Sequence, residues 1–182
     1  MIAITIMTLI TGVIVTQFSG FDSAIVTKAR AYDAAQAVRS AQAFATQIRA
    51  TSTVDVAFTT QYLTRFTKGS GEILVMRKEG TNDPQSVEYR QLTAGYTVYK
   101  LCTVSADNSV HYASAKDDYL DIAFKRPEVA AMAKPGWVTF SSPVVRSYVA
   151  IVGADISLIH WVEVDSTGSI SIVTSAPANC LL

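Results

Sequence analysis

The 182-residue chain carries fifteen basic and fifteen acidic side chains, is 49% hydrophobic and has a mean hydropathy of +0.27. A net charge of zero excludes a global field that would gather nucleic acid or an anionic membrane surface. The length accommodates one membrane-length helix and one globular domain of about 130 residues, and no more.

Residues 1–21 carry no charge, and Asp22 is the first ionisable side chain. At 1.5 Å per residue, about 20 such residues make a helix of roughly 30 Å, the thickness of a bilayer's hydrocarbon core. Ile4, Ile6, Leu9, Ile10, Val13, Ile14, Val15 and Phe18 supply its apolar surface. Thr5, Thr8, Thr11 and Thr16 are compatible with it, because a helical hydroxyl can bond back to a carbonyl of the preceding turn. The segment is expected to lie in lipid or in an equally apolar, protein-built surrounding. No basic region precedes it and no small-x-small cleavage site follows it closely, so it is expected to be retained.

The next stretch, residues 24–48, is alanine-rich, free of proline and helical by propensity. Ala24, Thr27, Ala31, Ala34, Val38, Ala41, Ala45 and Ile48 step by three and four residues. They lay a narrow stripe of small side chains for docking on a domain, with Lys28, Arg30, Asp33, Arg39 and Arg49 on the other sides. The composition turns β-branched after Ile48, which places the helix end near Ala50.

Residues 58–66 are ambiguous, and Lys68-Gly69-Ser70-Gly71 reads as a turn. Residues 72–77, 87–90, 96–101 and 110–113 are short, aromatic and β-branched runs that predict an antiparallel meander. Residues 120–124, 137–140, 144–152, 158–164 and 169–173 supply further strands. The predicted fold is α+β, one long helix laid across an antiparallel sheet. Residues 1–21 form the apolar segment and 22–182 the globular domain, with the helix to about residue 50 and the sheet over about 72–182. Tyr89, Tyr96, Tyr99, Tyr112, Phe124, Trp137, Phe140 and Trp161 alternate within strands and are expected to be mostly core.

Catalytic chemistry finds little footing. The two histidines, His111 and His160, both sit in strand patterns, where a satisfied ring is the commoner state. Nucleophile-elbow, phosphate-loop and zinc-protease motifs are missing. Asp117, Asp118 and Asp121 have no calcium-loop spacing and read as a solvated turn before a strand. The chain is read as a non-enzyme without cofactor or metal.

The apolar-then-amphipathic helix resembles the N-terminal helix of type IV pilins and type II secretion pseudopilins. Val38-Arg39-Ser40-Ala41-Gln42-Ala43 is similar to the R-x-A-Q stretch on that helix. Tyr119 to Pro127, ending Phe124-Lys125-Arg126-Pro127, resembles an element of the H-type pseudopilin branch, and Val162 to Ile172 its closing hairpin with a Thr-Gly turn. Pilins of this family begin with a methylated aromatic residue and place a glutamate fifth. Neither stands here, and Met1 aligns just inside that glutamate.

The resemblance implies a structural subunit whose apolar helices bundle into a helical homo-oligomeric filament. It would be held in the inner membrane before assembly, handled by pilus or secretion machinery, and then displayed outside the cell. A low-copy pseudopilin or minor pilin shares every motif, and a membrane-anchored binding module that never polymerises shares the helix. In an exported domain, Cys102 and Cys180 most simply form one disulfide, the alternative being two unrelated buried thiols. Related pilins break their helix at a glycine and a proline, so Gly12 and Gly20 mark the stretch expected to unwind inside a filament.

Overall fold

A computed structural model describes the backbone of residues 2–47, 60–125, 130–137, 142–175 and 180, and their side chains except those of 2–6, 8–10 and 13–22. The elements in chain order are α1 (Ile2–Thr46), β1 (Thr60–Thr67), β2 (Glu72–Glu79), β3 (Gln85–Gln91), β4 (Thr97–Ser105) and β5 (Val110–Tyr112). They continue with β6 (Tyr119–Lys125), β7 (Ala131–Pro135), β8 (Val144–Val152), β9 (His160–Asp165) and β10 (Ile170–Val173). The α+β class holds, with a correction to the sheet. Among the described residues the strands form two five-stranded antiparallel sheets, ordered β3-β2-β1-β6-β7 and β10-β9-β8-β4-β5.

The expected meander is therefore broken after β3, where the chain leaves the first sheet and β4 joins the second beside β8. It returns for β6 and β7, then crosses again for β8 to β10. From Thr60 on, the ambiguous stretch is β1, which pairs with both β2 and β6, so among the described residues the sheet region begins at Thr60 rather than near residue 72. Its alternation places Tyr62, Thr64 and Phe66 inward, while Leu63 and Arg65 face out. Residues 131–135, which carry no strand pattern in the sequence, form the edge strand β7, with Pro135 as its last residue.

Three layers meet in one core. Ala31, Ala34, Ala35, Ala37, Val38 and Ala41 of α1 are fully buried against Phe66, Ile73, Leu120, Ile122 and Phe124 of the first sheet and Val98, Leu101, Val149, Ile151 and Val162 of the second. The helix touches β1, β2 and β6 on one side and β8, β9 and β10 on the other, so it lies across the seam between the sheets. Alanine suits that place, because the backbone of α1 can come close to two sheets at once.

The aromatic residues divide. Phe124 and Trp161 are fully buried and Tyr96 and Trp137 pack on the core, while Tyr89, Tyr99 and Tyr112 are the exposed minority. Tyr89 sits on edge strand β3, where its hydroxyl donates to Glu72. Tyr99 is at the irregularity between Val98 and Lys100, and Tyr112 is on edge strand β5. Phe140 lies outside the described residues.

Candidate functional site

α1 is the element the resemblance makes functional, and from Thr27 to Ala45 it is docked on the sheets. Thr27, Ala31, Ala34, Val38, Ala41 and Ala45 all have at most 4% of their surface exposed, while Ala24 is half-buried. The buried face is wider than the sequence stripe, since Ala35 and Ala37 are also enclosed. The helix ends at Thr46, four residues before the expected Ala50, and Ile48 lies outside the described residues. Thr46 Oγ1 bonds back to the Ala43 carbonyl at 3.0 Å in the last turn.

Three polar contacts fix the helix on the sheets. Gln42 Nε2 donates to the Gly168 carbonyl at 3.0 Å, Thr64 Oγ1 donates to the Ala37 carbonyl at 3.3 Å, and Arg90 donates to Ser40 Oγ at 3.1 Å. Gly168 has φ +88°, the left-handed conformation that closes the β9–β10 hairpin and that glycine reaches without a Cβ penalty. The sequence placed Gln42 in a motif but could not name its partner, 126 positions away.

A fourth contact lies toward the helix N-terminus. His160 opens β9 on the same face as the core residues Val162 and Val164, and its ring lies close to the Ala24 backbone of α1. Ala24 meets His160 and Gln42 meets Gly168, so α1 and β9 run side by side in the same direction. The two paths are comparable, roughly 27 Å along the helix and about 20–25 Å along strand and turn.

Above the docked region, α1 includes Gly12 and Gly20 within its helical backbone, and a Cβ on Gly12 would meet nothing within 4 Å. Thr11 Oγ1 bonds back to the Met7 carbonyl at 2.7 Å, the pattern expected of threonines in an apolar helix. The side chains of Ile4, Ile6, Leu9, Ile10, Val13, Ile14, Val15 and Phe18 lie outside those described. Among the described residues no helix is long and apolar enough to cross a membrane. Met7, Ile25 and Tyr32 are exposed large hydrophobic side chains on α1.

Cys102 and Cys180 are paired as a disulfide, with Cα atoms 5.9 Å apart, inside the usual range for that bond. Both are buried with Tyr148, Ala150 and Trp161 on the face of the second sheet turned away from the helix. The bond thus joins Cys180 to β4, beside Tyr148 and Ala150 of β8 and Trp161 of β9.

The acidic trio is not assembled. Asp121 bonds Arg65, Asp118 accepts from the Ala115 backbone N–H at 2.8 Å, and Asp117 occupies a left-handed turn at φ +72°. Among the described residues no group of three His, Cys, Asp or Glu stands where it could hold a metal ion. His111 contacts Ser109 Oγ at 3.1 Å in the β4–β5 hairpin, far in sequence from His160 on β9. Lys125 closes β6, while Arg126 and Pro127 lie outside the described residues.

Comparison with known proteins finds no matching family model, no matching curated protein and no matching solved structure.

Proposed function

We propose that the chain is a pilin-like structural subunit of an extracellular filament, polymerising through the apolar N-terminal part of α1. The observation that carries this reading is the division of labour along one helix. The small-residue face from Thr27 to Ala45 is spent on the subunit's own two sheets. The chain before Asp22 continues the same helix without a charged residue. An uncharged helical segment whose described members Met7, Thr11 and Gly12 are exposed is satisfied by lipid or by other helices around it.

Further support comes from Met7, Ile25 and Tyr32, which leave apolar surface on α1 for neighbours. The disulfide fits a domain that works in an oxidising compartment. On this reading lipid holds the segment before assembly. Neighbouring helices replace lipid afterwards, so apolar burial is kept and packing decides the geometry. Gly12 and Gly20 make the intervening stretch the weakest part of the rod, each costing roughly 1 kcal/mol relative to alanine. Unwinding there inside the filament would let the rod lengthen.

The test is electron microscopy of cells producing the full chain, with antibody against the sheet domain. Fibres decorated along their length support the reading. A chain that stays in the membrane as single copies, with no fibre at any expression level, refutes it.

A further inference from the structure

We propose that the outer face of the second sheet carries a binding groove for an aliphatic carboxylate, with Arg146 as its anchor. The β4–β5 hairpin and β8 border an open cavity of about 380 Å³, within the span of small-molecule sites, roughly 300–1,000 Å³. Cross-strand pairing sets its floor. Arg146 of β8 stands opposite Val104 of β4, and Val104 opposite Val110 of β5, so the three side chains form one row across three strands. Strands lie about 4.8 Å apart, which makes the row about 10 Å long, with a cation at one end and two valines along the rest. Both valines are half-buried and pack against the disulfide cluster, whose Tyr148 lines the cavity from β8.

Arg146 is steadied by two acids without being used up by them. Its guanidinium comes no closer than 3.8 Å to Glu163 and 3.6 Å to Asp165, longer than hydrogen bonds, so no fork is closed on either carboxylate. Both acids take their bonds elsewhere. Glu163 accepts from the Tyr148 hydroxyl at 3.1 Å and from Ser171 Oγ at 3.4 Å, and Asp165 accepts from the Thr167 backbone N–H at 2.8 Å. They belong to β9, on one side of β8, whereas the cavity lies on the other side, over β4 and β5. Arg65 gives the contrast, since it bonds both oxygens of Asp121 at 2.7 Å. The Arg146 side chain is 53% exposed, and among the described residues it is the one charged group that lines the cavity. A guanidinium so placed offers parallel N–H donors to a carboxylate, and the valines receive the chain behind it.

A medium-chain fatty acid fits this row better than a peptide C-terminus does. A peptide would bring backbone N–H and C=O groups onto an apolar floor that cannot bond them, each at a cost in free energy. The groove lies on the face of the second sheet turned away from α1, so it stands or falls separately from filament assembly.

The experiment is NMR of the isotope-labelled full chain in nonionic micelles, titrated with octanoate, with octanol and with acetate. Octanoate should give a saturable shift of Val104, Val110 and the Arg146 Nε–H. Octanol lacks the charge and acetate lacks the chain, and each should bind more weakly by about tenfold or more. Arg146→Gln should lose about tenfold or more for octanoate and leave octanol unchanged, with a spectrum outside the groove that shows the fold is kept. The comparison of octanoate with octanol needs no variant. A groove that ignores octanoate, that binds octanol as tightly, or that keeps its affinity in Arg146→Gln overturns the site. Tighter binding of the tripeptide valyl-leucyl-leucine, free at its C-terminus, overturns the assignment to a fatty acid.

Discussion

Arg65 donates from Nε and Nη2 to the two carboxylate oxygens of Asp121, both at 2.7 Å, from directly opposite positions on β1 and β6. The guanidinium also lies 4.1 Å from the centroid of the Tyr119 ring, so one planar cation is held by a fork of hydrogen bonds and an aromatic face. The bond to Asp121 raises the Arg65 pKa, and the charge is permanent at any working pH. The pair faces away from the helix at the middle of the first sheet and fixes the register that brings Thr64 and Phe66 under α1.

Truncating one member of this pair should cost more than an exposed ion pair does. The Asp121 side chain is only 11% exposed, so Asp121→Ala should destabilise the domain by about 2 kcal/mol, much of it from the partner left unmatched. In a double-mutant cycle with Arg65→Ala the second truncation should cost less than the first. Urea denaturation of the four proteins checks both statements, and strictly additive losses would mean that the fork contributes nothing of its own.

The alanine face of α1 should tolerate no growth. Ala34→Leu places three extra carbons where two sheets already meet the helix, and should destabilise by about 1–3 kcal/mol. The same change at Ala29, which is exposed, should be close to neutral. Thermal unfolding of the two variants side by side measures the difference.

How much of this was legible in the chain depends on distance along it. The helix stripe, the β9–β10 hairpin and β8 follow from local periodicity and turn chemistry, and Val144–Val152 matches its sequence bounds. The division into two sheets was not legible. Whether β4 continues beside β3 or crosses to β8 is decided by contacts tens of residues apart, and either strand order satisfies the same alternation. Ala35 and Ala37 escaped because a stripe of three- and four-residue steps presumes one surface, whereas a helix lodged between two sheets buries a broader arc. The partner of Gln42 escaped for the same reason, since only the assembled hairpin brings Gly168 to it.

Free-thiol titration of the unreduced, denatured protein should count none, given the Cys102–Cys180 pair. Reduction, or the Cys102→Ala/Cys180→Ala double variant, should lower stability by about 2–4 kcal/mol, because the bond closes a separation of 78 residues. Comparison of urea midpoints with and without reductant gives the figure.

Acid should weaken the turns before it weakens the core. Asp107 and Asp155 accept from the hydroxyl and backbone N–H of the serine two residues on, and Asp165 accepts from the Thr167 backbone N–H. These bonds favour the ionised form and lower all three pKa values. In the unfolded chain the carboxyls return to the ordinary range, so their stabilisation is complete above about pH 4 and is lost as pH falls through the lower native values. Urea midpoints should decline below that pH. Replacing all three by asparagine should flatten the decline.

The free domain should not polymerise. Cut before Asp22, it retains the docked part of α1 and both sheets, and sedimentation should find a soluble monomer. Filaments formed by this truncated domain would place the assembly surface elsewhere.

The side-by-side course of α1 and β9 has a mechanical consequence. A load carried along the helix axis enters the second sheet parallel to its strands, while the ladder bonds of β8, β9 and β10 lie across the strands. Such a load shears many bonds together, instead of unzipping them one after another from an edge. It also reaches β4 through β8, and from there the covalent crosslink at Cys102. The weakest step under tension is then the helix backbone above Ala24, not the sheets beneath it.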